Sequence, residues 1–380
     1  MRQIERIIST YSADVFGVCS ALFELGGMII MHDASGCNST YTTHDEPRWY
    51  DMDSMVYISG LTEMEAIMGD DEKLIGDIVA AAEDLKPAFI AIAGTPIPAM
   101  TGFDYESVAS LIEQRTGIPA FGFATTGMTT YVTGASMAFE AYARRFAERN
   151  VTKTEQLSAN ILGLTPLDFT VNGTDAAIAG FLKESGFDVV SNWAMGSTPE
   201  ELKLAGKAHV NLVVSSTGLA LAKTLKELFG TPYVVGVPYG KKSKEKLSAL
   251  LHKAAETGED QMDWFSAEGE EVILVGETVT STSLAQAIEL ETGRGVKVLC
   301  ATEWEDELLR EKDTRALDEE EIEAALVHAK VMIADPLYKP ICPADVQFVP
   351  LPMEAFSGRI YRNEIPNLVN DLNGWISSWI

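Results

Sequence analysis

"EEVILVGETVTSTSLAQAIELETGRGVKVLCA", residues 270–301, is a strand, a short polar turn, a helix, a glycine-containing turn and a second strand. The runs at 272–276 (VILVG) and 296–301 (VKVLCA) are continuously apolar. Such runs belong to parallel strands covered on both faces, and parallel neighbours need a crossover, usually a helix. The stretch VNGTDAAIAGFLKESGFDVV at 171–190 repeats the plan: strand end, turn, helix, strand. Two openings of one design in one chain point to an architectural repeat of Rossmann-like units, not to a short-period solenoid.

Outward from these stretches the alternation continues. Strands are predicted at 28–33, 54–59, 89–94, 120–125, 157–164, 188–194, 210–216, 233–237, 330–334 and 346–350 as well. Between them, 71–85 (DEKLIGDIVAAAEDL) places Leu74, Ile75, Ile78, Ala82 and Leu85 on one helical stripe. A second helix spans 105–115, with Gly117 to end it and Pro119 beyond. The pattern predicts an α/β protein of three Rossmann-like domains with mainly parallel sheets around a central cleft. The expected domains are 1–155, 156–265 and 266–380, the last including a C-terminal return.

Composition limits the function. The chain has 380 residues, 46% of them hydrophobic, and a formal net charge of -27. Such a surface repels nucleic acid and anionic membranes. No apolar run is long enough to span a bilayer and no secretory leader is legible, so a cytoplasmic protein is expected. Four widely spaced cysteines do not form a disulfide framework, and there is no CxxC. The turns of the two repeated openings carry no GxGxxG, and GxxxxGK[ST] is absent, so neither a dinucleotide site nor a P-loop is supported.

In open parallel sheets, chemistry gathers in loops beyond the carboxyl ends of strands. After the strand at 28–33, MHDASGCNSTYTTHDEPRW (residues 31–49) packs two histidines, acidic residues and Cys37 into a Gly/Ser/Thr-rich loop. Gly36 beside Cys37 would let the backbone approach a bulky group, and a nest of amides would favour the thiolate; the alternative is an inert structural cysteine. The loop GTPIPAMTG at 94–102 is rigid, and on its own a connector. In TYSADVFGVCSALFELGG (10–27), Ser12 or Asp14 can cap a helix running to about Leu25, with Gly26 and Gly27 ending it. Cys19 lies in that helix, where core packing competes with a ligand role. His209, His252 and His328 look peripheral.

These residues resemble the nitrogenase component 1 family. The resemblance is carried by MIIMHDASGCNSTYTTHDEPRW (28–49), by GDDEKL (69–74) and IAIAGT (90–95), by VNLVVSSTGLALAKTLKELFGTPYVVGVPYG (210–240) and by VILVGETVTSTSLAQAI (272–288). It spans nearly the whole chain. It implies an iron–sulfur oxidoreductase subunit that pairs with itself or a homologous subunit and takes electrons from an ATP-hydrolysing iron protein. A cluster, expected as [4Fe–4S], would sit at the subunit interface, and an unsaturated small molecule, such as a tetrapyrrole, in the cleft.

The family's ligand positions map unevenly. Cys37 matches one directly; the first falls at Ser12, with Cys19 further along the helix; the third falls on Pro96, which cannot ligate through its side chain. Cys37 and Cys19 of two chains would give four thiolates, Ser12 could supply an oxygen, a homologous partner could bring most cysteines, or the alternative is that the cluster is lost. Gly36 and Gly94 flank these positions as cofactor-binding residues. The family's cofactor cysteine falls at Ser215-Ser216, and its cofactor histidine in a segment, 334–340, without histidine. No iron–molybdenum-type cofactor is therefore expected to be tethered here. Cys300 and Cys342 are assigned structural roles. His32, Asp33 and His44, beside Cys37, are the candidate acids for protonating a reduced substrate. The competing expectation is a scaffold of the same fold that holds a cofactor precursor and catalyses nothing; a periplasmic-type sensor is disfavoured for want of a leader.

Overall fold

The computed structural model describes residues 6–7, 12–41 and 45–380. Three sheets form, each entirely parallel in its pairings. The first contains β1 (Met28–Met31), β2 (Met55–Ile58), β3 (Ile90–Ala93) and β4 (Ala120–Phe123), in the order β2-β1-β3-β4. The second contains β5 (Ser158–Leu164), β6 (Asp188–Ala194), β7 (Val210–Val213) and β8 (Tyr233–Val235), in the matching order β6-β5-β7-β8. The third contains β9 (Val272–Gly276), β10 (Val296–Cys300), β11 (Thr314–Arg315), β12 (Val331–Ala334) and β13 (Gln347–Pro350), in the order β11-β10-β9-β12-β13. The α/β fold with parallel sheets is thus the one expected. Only the two-residue β11 has no apolar run to announce it.

The stretch 270–301 forms as read. Glu277 caps the helix Thr278–Thr292 by accepting from the amides of Val279 and Thr280. Gly293 ends it at φ 74°, a left-handed conformation that costs glycine nothing. The helix is buried from Thr278 to Glu289, so its small residues face neighbours on every side. The helix Asp71–Leu85 buries Leu74, Ile75, Ile78 and Ala82 as expected, but Leu85 is 42% exposed because it sits in the last turn, beyond the sheet it covers.

Two local expectations are corrected. The first helix runs from Asp14 to Leu22, and its cap position, Ala13, makes no side-chain cap bond. Neither Ser12 nor Asp14 caps it. The Asp14 carboxylate accepts from the adjacent Val15 amide and also from the Thr126 and Gly127 amides and the Thr129 hydroxyl, tying the helix to the loop after β4. This helix lies backbone to backbone on the helix Tyr131–Phe146. A Cβ on Gly17 would stand 2.0 Å from the Tyr131 carbonyl oxygen, and one on Gly134 1.8 Å from that of Asp14. The 94–102 connector contains a helical turn, Pro96–Thr101, opened by proline at its first position and closed by Gly102.

A single apolar cluster runs from Val15 through all three sheets to Trp379. Among the described residues no helix is long and apolar enough to cross a membrane.

Candidate functional site

Sheet order places the crevices. In each sheet the chain reverses direction of winding at one point: between β1 and β3, between β5 and β7, and between β9 and β12. Ligands of open α/β sheets bind beyond the carboxyl ends of strands at such points.

The first crevice holds most of the residues singled out from sequence. His32 extends β1, its amide donating to the Ala93 carbonyl and its own carbonyl accepting from the Thr95 hydroxyl. Its Nδ1 lies 2.9 Å from the Ser59 Oγ, and its ring packs 4.4 Å from that of Phe103. Burial pushes its pKa down to about 4, against a smaller upward pull from Glu65. That shift favours the neutral ring near pH 7, which leaves one ring N–H as its donor. It lines a cavity of about 300 Å³ with Ser59, Glu65, Lys73, Phe103 and Asp104. Asp33 is buried, and its two carboxylate oxygens accept from the Ala34 amide and the Asn38 side chain, both at 2.8 Å. That arrangement holds the loop. His44 lies outside the described residues.

Cys37 is exposed, and Asp33 beside it raises the thiol's pKa, chiefly by its charge. Gly36 faces open space, so no close approach is imposed there within this chain. Gly94 is a packing residue: a Cβ would lie 2.2 Å from the Thr125 carbonyl oxygen and 2.5 Å from the Tyr105 hydroxyl. Pro96 is exposed and packs toward Gly127. Ser12 is buried, its amide bonded to the Ala355 carbonyl. Cys19 is fully buried in the core, and burial drives its thiol far above the ordinary range. A sulfur in that position does not reach a subunit surface, so the expected set of Cys19 and Cys37 from two chains is not available. Cys300 is buried beside the Thr278 hydroxyl at 2.6 Å.

The second and third crevices meet in a buried polar network that sequence reasoning passed over. Asp168 follows β5 in the helical turn Pro166–Phe169; it accepts from the Tyr131 hydroxyl and, at 2.7 Å, from that of Thr165. Glu277 follows β9 and accepts from the Ser216 amide at 2.9 Å, from the Ser216 hydroxyl, and from Thr280. Burial, then the charge of Glu277, raises Asp168 to about 7. Ser215, at the family's cofactor-cysteine position, is fully buried and within this network, its hydroxyl 3.1 Å from that of Thr217. It offers no thiolate. The signal available in the sequence was Thr165-Pro-Leu-Asp168, a cap and its third residue just past a strand.

Charged bridges join the crevices. Arg48 is buried among Glu24, Glu46 and the Ser20 carbonyl, and Arg362 pairs with Glu354 while donating to the Asp45 carbonyl at 2.7 Å. A cavity of about 640 Å³ opens between the loop after β1 and the segments after β12 and β13, lined by Thr40, Asp45, Leu337, Phe356, Arg359 and others. Among the described residues no group of three His, Cys, Asp or Glu side chains is placed to hold a metal ion. One chain presents one exposed thiol. That donor set does not fit a complete iron–sulfur cluster.

Three parallel sheets whose winding reversals open toward one another define an α/β protein with inter-sheet crevices. The family model for nitrogenase component 1 type oxidoreductases matches residues 14–334, and the chain belongs to that family. It is 28% identical over 202 residues to the nitrogenase iron-molybdenum cofactor biosynthesis protein NifE of Clostridium pasteurianum, covering 51% of this chain and 43% of that protein. It is 35% identical over 101 residues to a light-independent protochlorophyllide reductase polypeptide of Leptolyngbya boryana, covering 26% of this chain and 20% of that one. The matches thus span less than half the length of these relatives. The solved structure "Nitrogenase Cp1 at pH 6.5" superposes with a TM-score of 0.72 at 17% identity, covering 100% of this chain and 94% of that one, which shows a shared fold.

Proposed function

We propose that this chain is one half of a paired, cytoplasmic assembly that takes electrons from an ATP-hydrolysing iron protein and reduces an unsaturated small molecule. Cys37 donates one thiolate to an iron–sulfur cluster at the face where the halves meet. The remaining ligands come from the second chain, since Cys19 is enclosed. The observation that carries this reading is the surroundings of Cys37. It is exposed at the carboxyl-terminal edge of the first sheet, and the same edge bears the exposed side chains of Met64, Ile67, Met68, Met100 and Met128. A patch of large exposed apolar residues marks an interaction surface. The 640 Å³ cavity is large enough for a drug-sized molecule.

Preparation without oxygen, with iron, acid-labile sulfide and mass determined together, tests this. The reading expects iron and sulfide in about four equivalents per pair, as a [4Fe–4S] cluster requires, and their loss in Cys37→Ala. An iron-free single chain would overturn it.

A second reading is favoured by the resemblance to a cofactor biosynthesis protein: a scaffold that holds a cofactor precursor. Absence of electron transfer from reduced iron protein and MgATP to an iron-loaded pair would select it.

A further inference from the structure

The buried carboxylates of this protein differ in what surrounds them. Glu24 and Glu46 face Arg48, Glu289 and Asp313 face Arg310, and Glu354 faces Arg362. Asp14, Asp33 and Asp335 each stand singly on backbone amides and short polar side chains. Asp168 and Glu277 are as deeply buried and stand together, yet among the described residues neither has a Lys, Arg or His at ion-pair distance. Their partners are hydroxyls and amides: Tyr131 and Thr165 for Asp168, Ser216, Val279 and Thr280 for Glu277. Two such groups in one network, without a cation, cannot both stay ionised at low cost, because an uncompensated charge in a protein interior is strongly disfavoured.

Asp168 stands at a cavity, and Glu277 lies one hydrogen bond behind its wall. Asp168 lines it directly, with Tyr239 and the hydroxyl residues Thr174, Thr280 and Ser281; most of the remaining wall is apolar, including Val275, Leu284 and Met353. Its volume of about 50 Å³ admits the edge of a molecule, not a whole cofactor. Glu277 reaches the same space through Thr280.

We propose that Asp168, buried without a cation beside the charge of Glu277, holds a proton and is the acid that presents it to a basic atom of a small, mostly apolar ligand in this cavity. The purpose, though not the chemistry, rests on the reading of the chain as a reductase, whose product must take up protons. The step is acid–base alone. The O–H bond of the acid breaks, the ligand's basic atom takes the proton, the electron pair stays on the carboxylate, and a proton from bulk solvent later restores the acid. Every element against Asp168 fits this role. The helix Tyr131–Phe146 supplies the Tyr131 hydroxyl, the segment after β8 supplies Tyr239, and the helix Glu354–Ser357 supplies a carboxylate already neutralised by Arg362. The helix Asp14–Leu22 supplies Asp14, which is bound to amides of the loop after β4, and the un-ionised Cys19. The shift of Asp168 to about 7 has the matching causes, burial first and Glu277 next.

Infrared difference spectra of the full chain, recorded against pH without ligand, test the proposal whether or not the protein carries iron. A protonated-carboxyl band is expected to vanish as pH rises through about 7. Asp168→Asn should abolish it. Glu277→Gln, which removes the neighbouring charge, should lower the midpoint by on the order of one pH unit; Tyr131→Phe, which removes a donor to the carboxylate, should raise it similarly. A wild-type protein with no such band in the neutral range, or a band that survives in Asp168→Asn, overturns the proposal. So do midpoints that ignore both neighbouring substitutions, and the wild-type spectrum decides even where a variant does not fold.

Discussion

Burial drives the Cys19 thiol far above its ordinary range, while Cys37 stands exposed beside Asp33. A buried thiol is an apolar core residue, so Cys19→Ser puts an unpartnered hydroxyl into the core. That should cost about 1–3 kcal/mol in denaturant unfolding while leaving iron content unchanged, the reverse of Cys37→Ala. Equal iron loss in both variants would restore Cys19 as a ligand. His32 makes a second prediction. Its folded pKa of about 4 lies below its unfolded value, so the folded state binds fewer protons in between. Its contribution is complete above about pH 6.5 and is lost as pH falls toward 4, by on the order of 2–3 kcal/mol. His32→Gln should flatten that part of the stability–pH curve; an unchanged curve would show that the ring is solvated. At this scale the sequence was only partly legible. Residue type and loop position pointed to Cys37, but exposure separates it from Cys19, and exposure depends on the helix Tyr131–Phe146, distant in the chain. Asp168 and Glu277 went unread because one looks like an ordinary first-turn acid and the other like an ordinary cap, and only the meeting of two sheets makes them neighbours.

Elements were far more legible, and the reason is local. A parallel strand covered on both faces is mostly apolar, and β1, β3, β5, β7, β9 and β12 are buried throughout, with Asn160 of β5 and Asn211 of β7 hydrogen-bonded to each other. Helix ends were set by residues that fix backbone conformation, as at Gly117 and Gly293. The first helix was less legible, because its limits are set by its neighbour. Gly17 and Gly134 let two backbones touch, and Asp14 divides its carboxylate between the Val15 amide of its own helix and the loop after β4. Gly134→Ala should therefore push the two helices apart. Overpacking of this kind costs about 1–3 kcal/mol, and here the obstruction is backbone, which has no rotamer to yield. Thermal unfolding of the variant checks this, with Gly36→Ala, whose Cβ meets nothing, as the matched control. A variant at Gly134 as stable as the control would mean that the helix pair is looser than its geometry.

For the whole molecule the decisive quantities are the net charge of -27 and the apolar edge of the first sheet. They act in opposite directions if two identical chains pair. The apolar contribution is nearly insensitive to modest salt, whereas repulsion between two strongly anionic bodies is screened over about 10 Å at 0.1 M ionic strength and about 30 Å at 0.01 M. A pair of identical chains should accordingly tighten several-fold as salt is raised between those limits. A homologous partner carrying the opposite charge should loosen instead, because screening then removes attraction. Sedimentation of the anaerobic protein across that range distinguishes the two. Placing a charge on the edge should abolish either pair: Met100 is 87% exposed in the single chain, so Met100→Glu leaves the fold intact and acts only where a second surface would cover it. If Met100→Glu and its double variant with Ile67→Asp sediment like the wild type at every salt concentration, the halves meet elsewhere, and Cys37 cannot be the thiolate they share.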